Sequence, residues 1–521
     1  MESESTDSEG EGDGGDGGAR AAHLLEEQGA DSSTQLGIVD AAAGEIQAGE
    51  LPDLARNPGL VITPDQPVVI DALSKRSDKR RNNKNHWGGG NTLPHDPAPA
   101  SSSSDLWPSA VGVDQLWPQL NASRSAAPTI AFVDSGIDAS RSDFAGRVLA
   151  QVKMTKLSGN SPGDGSGHGT LVAGLAAGSA AGHTGAAPKA GIVSIDVMND
   201  DGMARTSDVI AAAQWILKNR TQYNIRVANF SLHSAAKSSF RWDPLDKAIE
   251  KLWTSGVVVV TAAGNDGKGT SERIKYAPGN DPFAITVGAI DLHNSPDPAR
   301  ADMAPWSAWG YTYDGFAKPE LSAPGRSLVG PVPANSALAQ ERPGQVVNTP
   351  NGTYIRLSGT SLSAPIVSGI AADLLMLNPR LSPDQVKGAL MLSARSLPRV
   401  RTIAAGVGEV YASGAANVSS PPNPNRGLNA FLVPDPTGPG VVFDDGRWLQ
   451  TVKATPSWDD VSWLDGWSNT AWSLVSWSDV SWSDVSWLDV SWSDVSWDDV
   501  SWDDVSWADV LDDGPYGDVI G

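Results

Sequence analysis

Three short segments of this chain carry residue types that do chemistry as a set. Val133-Asp134-Ser135-Gly136 offers a carboxylate, His168-Gly169-Thr170-Leu171-Val172-Ala173-Gly174 an imidazole, and Gly359-Thr360-Ser361-Leu362-Ser363-Ala364-Pro365 a hydroxyl. Acyl transfer by serine needs a base to take the hydroxyl proton and an acid to orient that base. It also needs donors aimed at the oxyanion of the tetrahedral intermediate. Alone, each piece has an ordinary reading: Asp134 as a turn residue before Ser-Gly, His168 as a solvated or capping residue, Ser361 as an N-cap. Together they argue for a hydrolase. A fourth piece, Thr261-Ala262-Ala263-Gly264-Asn265, ends a β-rich run with an amide side chain suited to an oxyanion.

These residues need elements that bring them to one place. Thr129–Asp134, Ala190–Asp196, Arg226–Ser231 and Gly256–Ala262 are short and continuously apolar, the character of strands in a parallel sheet covered on both faces. Ser207–Lys218 and Leu245–Ser255 carry apolar residues at helical spacing, and Ile366, Val367, Ile370, Ala371, Leu374 and Leu375 make an apolar helix face after Ser361. The pattern predicts an α/β fold with a doubly wound, mostly parallel sheet over about Leu106–Phe431. Asp134 then closes a strand at the carboxyl edge, where such sheets hold their sites. His168 opens a helix between Gly167 and Gly169, which leave both ring nitrogens accessible. Ser361 precedes the apolar helix, so its N–H belongs to the unpaired set at a helix start and is a natural oxyanion donor. Pro365 falls early in that helix, where a missing N–H matters least.

The order Asp, His, Ser, with further matches at Lys318-Pro319-Glu320-Leu321-Ser322-Ala323-Pro324-Gly325 and Asn229-Phe230-Ser231-Leu232, resembles the subtilase (subtilisin-like, S8) peptidases. The resemblance implies a serine endopeptidase that hydrolyses peptide bonds through an acyl-enzyme at Ser361. It implies that Asp134 orients, His168 is the base, and Asn265 with the Ser361 amide forms the oxyanion hole. It implies too that Ser231, Leu232, His233 and Ala262, Ala263, Gly264 line the cleft, holding a peptide or protein substrate as an added β-strand. Two positions depart from the family. His233 stands where Gly is usual and narrows or polarises a pocket near the scissile bond, and Leu171 replaces a second His. Subtilases often hold calcium in the loop after the His helix. Here that loop, Gly178-Ser-Ala-Ala-Gly-His-Thr-Gly185, has no carboxylate or amide ligand. No metal ligand is assigned and no other cofactor is implied; the acidic tail is the remaining candidate for calcium. The family also implies an extracellular protein. The N-terminus is acidic and lacks an apolar h-region, so no secretory signal is visible, which fits a truncated chain or a wrongly chosen first codon.

The rest of the 521 residues is uneven. The net charge of −23 concentrates at the two ends, which argues against nucleic-acid binding. The basic run Lys75–Lys84 reads as a solvated linker. There is no cysteine, so no disulfide frame or thiolate site exists, and no apolar run is long enough for a membrane span. Residues 1–18 read as a disordered acidic segment and 19–71 as a propeptide-like remnant, with a short helix at Arg20–Glu27 and two β-rich runs within 59–70. The segment Ala48–Asp65 resembles the second half of a subtilase propeptide, where a helix is followed by a strand that ends in an Asp before the mature domain. Residues 72–105 read as a linker holding the processing site, 432–457 as a second linker, and 511–521 as the C-terminal end. Between them, 458–510 repeats the unit Trp-Ser-Asp-Val-Ser. On an α-helix each five-residue step turns the tryptophans by about 140°, so they form no stripe. A Trp array with aspartates for solubility suits contact with a cell surface, a polysaccharide or another protein. Two other functions are compatible with the chain: a surface-binding protein with an inert peptidase domain, and a ligase or cyclase that passes the acyl group to an amine.

Overall fold

The computed structural model of the chain describes residues 17–30, 33–57, 60–70, 106–267, 274–400, 403–436 and 439–454. They fall into two units, 17–64 and 65–454. The acidic segment up to residue 16, the linker at 72–105 and the Trp repeat lie outside the described residues.

The smaller unit contains helix α1 (Gly17–Glu27), strands β1 (Ser33–Leu36) and β2 (Ala41–Gly44), and helix α2 (Leu51–Ala55). β1 and β2 pair antiparallel, with Leu36 opposite Ala41. The helix expected at Arg20 starts at Gly17, inside the segment expected to be unstructured, and packs on the hairpin with Ala22 buried.

The larger unit runs β3 (Pro67–Val69), β4 (Thr129–Asp134), β5 (Val148–Lys153), α3 (His168–Ala177), β6 (Gly191–Asp196), β7 (Met203–Arg205) and α4 (Thr206–Asn219). It continues with β8 (Ile225–Phe230), β9 (His233–Ser234), α5 (Pro244–Thr254), β10 (Val258–Ala262), β11 (Ile285–Asp291), β12 (Asp302–Met303) and β13 (Leu321–Pro324). It closes with α6 (Thr360–Leu377), α7 (Pro383–Ser393), β14 (Leu432–Pro434), β15 (Val441–Phe443) and α8 (Asp445–Ala454). The main sheet has eight strands in the order β12-β11-β10-β8-β4-β6-β5, with β13 also on β11; all pairs are parallel except the short β11–β12. β4 is buried at every position, as its unbroken apolar run requires, whereas the edge strand β5 alternates half-buried and exposed.

Helix α6 is the only described helix long and apolar enough to cross a membrane, and 94% of that stretch is buried inside the fold. It packs on β8, β10 and β11 as the core helix that carries Ser361 at its start.

Two segments differ from the sequence expectation. Of the two β-rich runs within 59–70, only β3 forms, and it forms by pairing with β7 on one side and β9 on the other. Partners so distant in sequence leave no local signal. The 432–457 segment, read as a linker, contains the β14–β15 hairpin and α8. Phe443 and Trp448 enter an aromatic cluster with Phe240, Phe283, Phe316 and Phe431, and Lys247 Nζ meets Asp445 at 2.9 Å. Two isolated aromatic residues, Phe443 and Trp448, show no period, so their burial was illegible.

Candidate active site

The parallel register ends three strands together. Asp134 is the last residue of β4, β8 ends at Phe230 opposite Val133, and β10 delivers Ala262 one step past the Phe230–Thr261 pair. Helices α3 and α6, in contact with each other, start beside this edge and present His168 and Ser361.

His168 Nδ1 lies 2.8 Å from Asp134 Oδ1, and its Nε2 lies 3.1 Å from Ser361 Oγ. With a proton on Nδ1 donated to the carboxylate, Nε2 is left to accept the serine hydroxyl. All three groups are buried, Asp134 at 1%, His168 at 0% and Ser361 at 5% exposure. Water therefore competes little for these bonds. Gly167 has φ +93°, and a Cβ there would come within 2.8 Å of Val332 Cγ2, so only glycine allows the chain to enter α3 at this angle.

Asn265 Oδ1 accepts from the Thr360 N–H at 2.8 Å and the Thr360 hydroxyl at 3.0 Å. That fixes the amide orientation and turns Nδ2 toward the space beside Ser361. A Cβ on Gly359 would lie 3.1 Å from Ser361 Oγ and 3.5 Å from Asn265 Nδ2, so the missing side chain keeps that space open. The N–H of Ser361, in the first turn of α6, is a second donor of the kind an oxyanion takes.

The other sequence-predicted residues surround these. Ser231 Oγ donates to Ser361 O at 2.9 Å and accepts from Asn229 Nδ2 at 2.9 Å. Pro365 explains the first bond: it has no N–H to offer the Ser361 carbonyl four residues back, and Ser231 satisfies that carbonyl instead. Leu232, Ala262 and Ala263 are buried. Gly264, at φ +101°, donates its N–H to Thr360 Oγ1 at 3.0 Å. His233 begins β9, with its ring 5.5 Å from that of Tyr276.

Four features went unread in the sequence: β7 as a wall opposite β9, Tyr276 against His233, and the residues Ser135 and Asp164. The carboxylate of Asp164 sits in a Gly/Ser run four residues before His168, and this spacing was the available signal. It is buried and hydrogen-bonded to Ser135 and Thr170, and burial pushes its pKa up to about 7 against those bonds. Asp196, paired with Asp134 across β6 and β4, is raised to about 6, chiefly by burial and less by the Asp134 charge.

Residues 125–420 match the profile of the subtilase family, Peptidase S8. The chain belongs to the subtilase family. Serine protease AprX of Bacillus subtilis (strain 168) is 34% identical over 271 residues, 50% of this chain and 60% of that protein. Subtilisin DY of Bacillus licheniformis is 32% identical over 282 residues, 54% of this chain and 88% of that protein. Among solved structures, fervidolysin from Fervidobacterium pennivorans, a keratinolytic enzyme related to subtilisin, aligns with a TM-score of 0.49 at 26% identity, over 61% of this chain and 46% of that one. This subtilase thus spans less than two thirds of the length of AprX.

The loop after α3 offers no side-chain carboxylate or amide of its own. Ser179–Ala180 and His183–Thr184 form a two-residue-per-arm hairpin there, and Ser179 N–H and Oγ–H donate to Asp143 O at 2.8 and 2.9 Å. Asp143 is fully buried, and both carboxylate oxygens are engaged, Oδ2 by Arg141 Nε at 2.9 Å and Oδ1 by the Tyr354 hydroxyl. The Arg141 guanidinium also donates to Val332 O and lies 5.2 Å over the Tyr354 ring. Asp143 thus has a protein cation as its ion-pair partner. Among the described residues no cluster of three His, Asp or Glu is arranged for a metal.

Proposed function

We propose that this subtilase is a serine endopeptidase working through an acyl-enzyme at Ser361. The observation that carries the reading is the unbroken line Asp134–His168–Ser361, at 2.8 and 3.1 Å, inside a buried site. His168 takes the Ser361 proton as Oγ adds to the scissile carbonyl, and returns it to the leaving amine. Asp134 holds the tautomer and the positive charge that forms on the ring. Asn265 Nδ2 and the Ser361 N–H stabilise the oxyanion. Water then repeats the cycle to release the acid.

The substrate lies as an antiparallel strand between β7 and β9, and the chain's own β3 supports this. Val69 pairs with His233 and Met203, Val68 with Ser234 and Ala204, and Ile70 N–H donates to Gly202 O. Val68 and Ile70 are buried, at 0% and 2% exposure, while Pro67 and Val69 are half-buried. The proposal is that β3 belongs to a propeptide tail held in the cleft, that Ser361 cuts the chain within 72–105, and that the enzyme is exported as its family implies. The Trp repeat, as a surface-contact array, belongs to the same proposal.

Labelling with a fluorophosphonate tests it. Folded protein is expected to be modified at Ser361, and Ser361→Ala and His168→Ala are expected to abolish labelling. Ser361→Ala is also expected to keep residues 19–71 attached, whereas the active protein loses them and shows a new N-terminus within 72–105 by Edman sequencing. Folded protein that neither labels nor processes would end the peptidase reading.

A further inference from the structure

Behind the triad lies a buried carboxylate that touches none of the reacting atoms and yet receives four hydrogen bonds. Asp164 Oδ1 accepts from Ser135 Oγ at 2.9 Å and Gly167 N at 2.7 Å, and Oδ2 accepts from Thr170 N at 2.8 Å and Thr170 Oγ1 at 2.5 Å. Ser135 Oγ in turn accepts from Gly169 N at 3.0 Å. The amides of residues 167, 169 and 170 belong to the unpaired donors at the start of α3. All three end on Asp164 or on the hydroxyl Asp164 holds, and they bracket His168 on both sides.

The backbone of the same serine leads to the acid of the triad. Ser135 N–H donates to Asp134 Oδ1 at 2.8 Å, the oxygen that also faces His168 Nδ1. One carboxylate therefore fixes the backbone on which the base stands and the peptide unit that orients the base's partner. Thr170 Oγ1, besides donating to Asp164, accepts from Asp138 N at 3.0 Å, which ties the loop after β4 into the same set.

We infer that Asp164 is a positioning residue for the triad, holding the Asp134 carboxylate and the His168 ring in one register through Ser135 and the first turn of α3. The inference rests on the peptidase reading above. A carboxylate suits the role because it offers about four acceptor sites and no donor, and four donors converge on it. An asparagine would turn its NH2 toward two of them, loosening the brace while leaving the side chain's size unchanged. A shift of about 1 Å between His168 and Ser361 suffices to cost ~10²-fold in rate, whereas the substrate strand between β7 and β9 would bind as before.

The test uses the full chain and three variants, Asp164→Asn, Ser135→Ala and the double variant, each checked for folding by circular dichroism and thermal melting. The readouts are the rate of fluorophosphonate labelling at Ser361 and kcat and KM on a peptide substrate. Asp164→Asn is expected to lower labelling and kcat by ~10–100-fold with KM within about twofold, and Ser135→Ala by ~10-fold. The double variant is expected to be no slower than Asp164→Asn, because both act along one path. Labelling of folded Asp164→Asn at the wild-type rate overturns the inference, as does multiplication of the two effects in the double variant. Should Asp164→Asn not fold, a wild-type rate for Ser135→Ala overturns it equally. Wild-type protein that does not label at all would instead sink the peptidase reading, so the two failures are separable.

Discussion

At the residue scale, the chemistry of this chain resides in side chains whose identity is visible but whose usefulness depends on what is aimed at what. Asn265 shows this well. Its Oδ1 is consumed by Thr360, so the Nδ2 donor is pre-oriented and needs no rearrangement when charge develops beside Ser361. Asn265→Ala is therefore expected to lower kcat by ~10²–10³-fold with little change in KM, the loss known for removal of the side-chain oxyanion donor in subtilisin; steady-state kinetics on a peptide substrate check it. A wild-type kcat would show that Nδ2 does not face the oxyanion. Asp134, His168, Asn265 and Ser361 were legible because each stands in a short motif with unusual neighbours. Asp164 was not, because a lone acid in a Gly/Ser run has the same appearance whether it is solvated or accepts four buried hydrogen bonds.

At the element scale, strand and helix assignments in the larger unit followed the sequence closely. β4 spans the very residues its apolar run marks, and α4 and α5 lie within a residue of Ser207–Lys218 and Leu245–Ser255. Continuous burial forces continuous apolarity, so such strands announce themselves. The loop region after α3 did not. Its sequence showed that acidic ligands are missing from 178–185, but not that the acid packed beneath it, Asp143, is paired with Arg141 from its own loop. The Arg141–Asp143 pair yields a prediction. Melting temperature is expected to be unchanged by EDTA or by added calcium. Arg141→Met is expected to cost about 3–5 kcal/mol, since it leaves a buried carboxylate without its counter-charge. Urea unfolding of both proteins measures this, and a calcium-dependent melting temperature in the wild type would contradict it.

At the scale of the whole molecule, two segments from outside the main α/β pattern are built into the larger unit: β3 between β7 and β9, and the β14–β15–α8 stretch against α5. Trp448 is almost fully buried, at 1% exposure, and stacks near Phe316 while meeting Phe240 edge-on. Trp448→Ala is expected to destabilise the larger unit by about 3–5 kcal/mol, measured by denaturant unfolding; a value near zero would mean the segment is a dispensable appendage. By itself the sequence determined the residue types of the triad, the parallel α/β pattern that gathers them, and the family to which they belong, because strand burial and catalytic motifs are local properties written into consecutive residues. Only the tertiary structure decided that β3 pairs between β7 and β9, that Arg141 pairs with Asp143 beneath the loop after α3, and that four donors converge on Asp164. Each of these joins residues far apart in the chain or depends on burial and on the direction of a hydrogen bond, and neither is encoded in any single stretch.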